Sequence, residues 1–193
     1  MGKKPMPENA SRRFARNVVL TTGLTIAMVL GAWAPSALAC SGGPVSAASQ
    51  TVDQARAAVI CLINKKRARN HAKPVHEHPL LDSAAQVHTD AMTTENFFSH
   101  DGDGTPASRA ANAGYTSGAR AWGVGEDLFW GAASLSTPRA TVNAWMHSTE
   151  HRTVLLSKSY RQVGVGVDPG SPAGADIGLT GTYTALFGFR KGG

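Results

Sequence analysis

Val163-Gly164-Val165-Gly166-Val167 decides the fold class. A β-branched residue at every second position is the period of a strand, whose side chains alternate between two faces. Downstream, Asp168 to Gly181 is a Gly/Pro-rich connection and Tyr183 to Phe189 reads as a second strand, so the two form a pair. Upstream the period becomes helical. Val52, Ala55, Val59, Leu62 and Ile63 predict a helix over about 52–69 that ends in Lys65, Lys66, Arg67 and Arg69. Leu81, Ala84, Ala85, Val87, His88, Ala91 and Met92 give the inner face of a second helix over about 80–97. Thr105-Pro106 supplies a cap and a first-turn proline for a third helix ending near Gly114. Ser136-Thr137-Pro138 does the same for a fourth, with Val142, Trp145 and Met146 facing inward. Gly118 to Phe129 shows no period and reads as irregular. Helices first and strands last give an α+β layered domain.

The first 39 residues have a different character. Lys3, Lys4, Arg12, Arg13 and Arg16 make a basic start, an uncharged apolar run extends from Val18 to about Trp33, and Ala37-Leu38-Ala39 ends it. That order is a secretory signal peptide over 1–39, with cleavage before Cys40. Thr21, Thr22, Gly23 and Thr25 interrupt the run, which falls short of the roughly 20 apolar residues of a membrane span. No transmembrane span is expected after cleavage. Residues 1–39 hold five of the 19 Lys and Arg and one of the 13 Asp and Glu, so the remaining 14 basic and 12 acidic residues leave a charge near +2. No basic stripe remains to suggest nucleic acid. The remaining length suits one domain, expected to be a monomer, from residue 52 to 193 after a small-residue tether over 40–51.

Cys40 and Cys61 both survive cleavage. In an oxidising compartment such a pair is most simply a disulfide. The rival is a secreted protein turned lipid-anchored, with Cys40 acylated and Cys61 a small buried thiol. Ala37 stands where a lipidation signal usually has Leu.

Several strings, in order, resemble the bacterial branch of the CAP superfamily, which includes cysteine-rich secretory proteins, venom allergens and plant pathogenesis-related proteins. They are Leu62-Ile63-Asn64 with Arg67, Phe98-Ser99-His100-Asp101, Thr105-Pro106 with Arg109, and Gly125-Glu126-Asp127-Leu128. Ala144-Trp145-Met146 with His151-Arg152, Val163-Gly164-Val165-Gly166, and Tyr183-Thr184 with Phe187-Gly188 complete the series. The resemblance implies an α-β-α sandwich with a central antiparallel sheet between helical layers. It also implies a cleft lined by His100, Glu126 and His151, and in some relatives such His pairs bind zinc or another divalent ion. Imidazole is a good zinc ligand, which makes His100 and His151 the metal candidates, but the same groups can form a hydrogen-bonded network without metal.

The chain departs from that pattern near the cleft. The usual Gly-Glu-Asn is Gly125-Glu126-Asp127, which brings Asp127 to the cleft as a ligand or a loop cap. Ser148 stands where eukaryotic relatives carry an acid, and Ala185 where a strand Gln is usual. The helix-breaking Pro-Gly before the His-Arg pair is replaced by Thr149-Glu150. A continuous helix would put His147 and His151 four residues apart on one face; helix-start chemistry favours instead a break in which Ser148 caps a new turn and His147 lies on the surface.

Other signals are weaker. His76-Glu77-His78, between Pro74 and Pro79, is a solvent-facing connection and not a helical zinc motif. His88 reads as a packed or surface histidine, and Asp101-Gly102-Asp103-Gly104 as a turn. Trp122 and Trp130 are candidates for an apolar rim. The expected function is recognition of a small extracellular ligand, a lipid or a cell-wall fragment, in the cleft of His100, Glu126, Asp127, Ser148 and His151. A metal-assisted hydrolase of peptide or glycan with Glu126 as general base, and an envelope protein with a vestigial cleft, are the alternatives.

Overall fold

Along the strand Gln162–Asp168, the valines and glycines divide between the two faces of a sheet. Val163, Val165 and Val167 enter a core with Val59, Ile63, Trp145, Leu155, Tyr183 and Phe187. Gly164 and Gly166 face a helix whose backbone lies directly on them. A Cβ at Gly164 would come 2.0 Å from the carbonyl carbon of Leu81, and one at Gly166 would come 2.3 Å from Ala85 O. The alternation therefore serves two buried faces, one filled by valine and one left empty for a helix. Gly164→Val is expected to cost about 3 kcal/mol or more, because backbone cannot yield as a side chain can. Urea unfolding measures this, and a loss under 1 kcal/mol would contradict it.

The computed structural model describes residues 1–2, 40–174 and 178–192; apart from its first two residues, the signal peptide expected over 1–39 lies outside them. One unit spans Ala37–Gly193. Its helices are α1 (Val52–Arg69), α2 (Pro79–Thr94), α3 (Pro106–Asn112), α4 (Pro138–His147) and α5 (Thr149–Leu156). Its strands are β1 (His76–Glu77), β2 (Ala119–Ala132), β3 (Gln162–Asp168) and β4 (Thr180–Gly192). They form one sheet in the order β1-β3-β4-β2. β4 pairs antiparallel with both β3 and β2. The two-residue β1 pairs parallel with β3, the single departure from an all-antiparallel sheet. Residues of α1, α4 and α5 join the valine-lined core. Residues of α2 and α3 form a second cluster with Leu186, whose neighbours Ala185 and Phe187 belong to the first. The sheet therefore lies between two helical layers.

The capping signals act as expected. Thr51 and Gln54 form a reciprocal capping box on α1, and Thr105 and Thr137 cap α3 and α4 ahead of Pro106 and Pro138. Arg67, wholly buried, donates to the carbonyls of Lys73, Leu155, Ser157 and Tyr160, and so ties α1 to the exit of α5.

Two expectations change. Residues 119–132, read as largely irregular, form the longest strand. Glycines and the Glu126-Asp127 pair hide its period. A Cβ at Gly123 would meet the Phe189 ring at 2.6 Å, and one at Gly125 the Tyr160 hydroxyl at 2.4 Å, so these glycines make room for aromatic rings. The expected tether over 40–51 is packed against the domain. Ala47 is buried and donates to Ser136 O, Arg139 N–H donates to Gly43 O, and the Gln50 amide donates to Val45 O. Cys40 is bonded to Cys61 across a separation of 21 residues. The bond occupies the sulfur that acylation would need. Reduction is expected to cost about 3 kcal/mol in the chain-entropy model. Denaturation with and without reductant checks this, and an unchanged midpoint would contradict it.

Candidate functional site

Glu126 stands in β2, 1% exposed at its side chain, between a cation and an imidazole. Its Oε2 accepts from Arg109 Nη2 at 2.6 Å and its Oε1 from His100 Nδ1 at 2.8 Å. A carboxylate only accepts, so His100 carries a proton on Nδ1, and Nε2 is its free nitrogen. The His100 side chain is 49% exposed.

Three further residues, assigned no role from sequence, hold this pair. Thr105 and Pro106 start α3 so that Arg109 comes one turn in and reaches back over the preceding loop. Arg109 Nη1 donates to His100 O at 3.0 Å, to Asp103 Oδ1 at 2.8 Å and to Gly104 O. Asp103 also accepts from His88 Nδ1 at 2.6 Å. His88, on the buried stripe of α2, puts its Nε2 3.8 Å from Glu126 Oε1. The loop from Ser99 to Gly104 is therefore a turn, as read, and also a clamp. Gly102 permits it because a Cβ there would overlap the Phe97 ring, and Gly104 adopts φ +110. The spacing Leu81, Ala84, Ala85, His88 marks His88 as inward; nothing local reveals that Asp103 and Arg109 would meet it.

His151 approaches from α5, half-buried. Ser148 is the cap residue, in extended conformation, and accepts from His151 N–H at 3.4 Å. The helix breaks there. His147, at the end of α4, is exposed and bonded to its own helix at Asn143 O. Ser148 thus orients the turn bearing His151 and does not replace the missing acid.

Asp127 departs from the expected cleft. Side chains of adjacent strand residues point to opposite faces, so Asp127 points away from Glu126, into the layer of Tyr160. It is wholly buried, and neither carboxyl oxygen has a hydrogen-bond partner among the described residues. Burial, and next the charge of Glu126, push its pKa up to about 8.

The electrostatics of His100 and His151 diverge. The hydrogen bond to Glu126 raises the His100 pKa. Desolvation, and next the nearby charge of His100, lowers that of His151. His88 is lowered chiefly by burial. His100 therefore holds its proton to higher pH than His151 and His88 do.

The donor set for a metal does not assemble. Among the described residues no three His, Cys, Asp or Glu side chains are grouped to hold an ion. Both oxygens of Glu126 are committed, one to a guanidinium, and Asp127 faces away. That leaves His100 and His151, two donors where catalytic zinc usually takes three. Glu126 is likewise not a free general base, since Arg109 and His100 hold both of its oxygens.

Comparison with known proteins agrees with this architecture. A model of the cysteine-rich secretory protein family (CAP) matches residues 60–183. The uncharacterised protein YkwD of Bacillus subtilis is 29% identical over 116 residues, 58% of this chain and 42% of its own length. The crystal structure of an extracellular protein containing an SCP domain from Bacillus anthracis aligns with TM-score 0.58 and 25% identity, over 72% of this chain and 41% of that one. An outer surface protein from Borrelia burgdorferi aligns with TM-score 0.57 and 19% identity, over 69% of this chain and 90% of its own, which shows the shared fold. The chain spans about two fifths of the length of the two Bacillus relatives.

Proposed function

The chain belongs to the cysteine-rich secretory protein (CAP) family, and from that premise we propose that it is an exported protein whose cleft at His100, Glu126 and His151 binds a small extracellular ligand, a lipid or cell-wall fragment. The observation that carries the reading is the ladder Asp103–Arg109–Glu126, its Arg109 and Glu126 buried, behind a half-exposed His100. Burying ionised groups is costly unless each is paired, and paired titratable groups of this kind cluster at functional sites. Here the ladder holds one imidazole rigid, its Nδ1–H turned inward to Glu126 and its Nε2 left free, a preorganised recognition group. A His100 that holds its proton to higher pH than His151 suits a ligand with an anionic or strongly accepting head. Export is supported by the basic and apolar N-terminus, the disulfide, and relatives described as an extracellular protein and an outer surface protein. Among the described residues no helix is long and apolar enough to cross a membrane.

The test compares what the purified protein retains. Solvent extracts of wild type and His100→Ala, analysed by untargeted mass spectrometry, are expected to differ by at least one small molecule present with the wild type and depleted about tenfold in the variant. Identical extracts would contradict the reading.

A second reading, acid–base hydrolysis, is favoured by the two histidines' opposite shifts, since neighbouring groups with separated pKa values can act as acid and base. In that reading His151 is the base and Glu126 only positions His100.

A further inference from the structure

The two edges of the sheet are treated differently. On β3, beyond the short β1, each outward backbone group has a side-chain partner. Val165 N–H donates to Asp82 Oδ1 and Val165 O accepts from Arg56 Nε. Val167 N–H donates to Gln86 Oε1 and Val167 O accepts from Gln86 Nε2. Covering an edge in this way prevents another strand from adding to it.

β2 forms the other edge. Which of its groups face outward follows from the register. Arg161 N–H donates to Gly188 O, so Gly188 faces β3, and its neighbour Phe187 and then Ala185 face β2. Their partners on β2 are Gly125 and Asp127. Hence Trp122, Val124, Glu126 and Leu128 direct their N–H and C=O away from the sheet. Leu128 confirms the assignment, because its carbonyl accepts from Trp145 Nε1 at 3.0 Å on that side. No partner meets the outward groups of Trp122 and Val124 among the described residues. Arg120, Ala121 and Trp122 are exposed, the last at 38%. Trp122 stands opposite Arg190, and Ala121 opposite Lys191, in the strand register. Arg120, Arg190 and Lys191 have no carboxylate within ion-pair distance among the described residues. The open edge is therefore flanked by uncompensated positive charge, and two residues beyond Val124, about 7 Å along the strand, it reaches Glu126 and His100.

We propose that the β2 edge at Trp122 and Val124 docks an extended acidic peptide by strand addition and leads it to the His100 cleft. Backbone hydrogen bonds supply the affinity, the three cations select acidic side chains, and the exposed Trp122 ring offers a contact for an apolar one. This rests on the reading of the cleft as a ligand site and goes beyond it, adding a peptide ligand with the β conformation available to it.

The probe is a hexapeptide of alternating valine and glutamate, blocked at both ends, added to the purified protein and followed by amide NMR. The Trp122 and Val124 amides are expected to shift and their hydrogen exchange to slow at least about tenfold at saturation. Val124→Pro removes one outward donor and leaves the ladder to β4 intact, since proline is tolerated where N–H faces away from the sheet. It is expected to weaken binding about tenfold, while Val124→Ala, which keeps the donor, stays within about threefold of wild type. The exchange measurement uses wild type alone and decides the matter even if the proline variant does not fold. Absence of binding at millimolar peptide, or equal affinity in Val124→Pro, overturns the proposal. Self-association that Val124→Pro abolishes, without peptide binding, assigns the edge to a second copy of the chain and also overturns it. Peptide binding lost in Val124→Pro but untouched in His100→Ala supports edge docking and contradicts the cleft reading on which it builds.

Discussion

Arg109→Met is expected to lower stability by about 3–5 kcal/mol, because it leaves the buried Glu126 carboxylate and the half-buried Asp103 without their cation. Arg109 is only 4% exposed at its side chain and donates to both carboxylates and to two backbone carbonyls of the loop. For a domain of this size the loss corresponds to a fall of roughly 10 °C in Tm. The loop from Ser99 to Gly104 should loosen with it, since Arg109 is what fastens that loop to α3. Arg109→Lys restores one charge but not the fork that spans Asp103 and Glu126, so it should recover only part of the loss. Thermal unfolding of the three proteins measures this. A fall of less than 2 °C in Arg109→Met would show that the ladder is not a structural element.

Asp127→Asn should act in the opposite direction. Asp127 has a folded pKa of about 8 against an ordinary value of 3.8, so folding favours its protonated form. A carboxyl group with a raised folded pKa contributes stability that is fully present below the unfolded value and is lost as pH rises toward the folded one. The wild type therefore weakens between about pH 4 and pH 8 through this residue. At 1.36 kcal/mol per pKa unit, this shift makes asparagine more stable by roughly 5 kcal/mol at pH 8 and by nearly nothing at pH 4. Asp82, raised to about 6 mainly by burial, weakens both proteins alike and cancels in the comparison. Urea midpoints at the two pH values give the difference. A gain that is equal at both would refute the buried, protonated Asp127.

What could be read from sequence follows from how far apart the causes lie. Helix starts depend on residues three apart, so Thr51, Thr105 and Thr137 announce them plainly. The period of Val163 to Val167 announces its strand, although only the structure shows that Gly164 and Gly166 admit α2. β2 was hidden because its pattern is set by rings from distant segments, Tyr160 and Phe189, that demand glycine beneath them. At the site, His100, Glu126 and His151 were named through family resemblance, and Ser148 through helix-start chemistry. His88, Asp103 and Arg109 were not, because their convergence joins α2, a turn and α3. Asp127 was misplaced for want of a strand; once β2 exists, adjacency to Glu126 sends it to the opposite face.

The proposed function rests on a Glu126-held His100 that shares one cleft with His151. The most direct test is an NMR pH titration of the imidazole carbons in wild type and Glu126→Gln. Two separated transitions are expected, His100 above and His151 below the ordinary 6.5. In Glu126→Gln the His100 transition should fall. If both histidines titrate together near 6.5 and the variant moves neither, the cleft described here does not exist in solution.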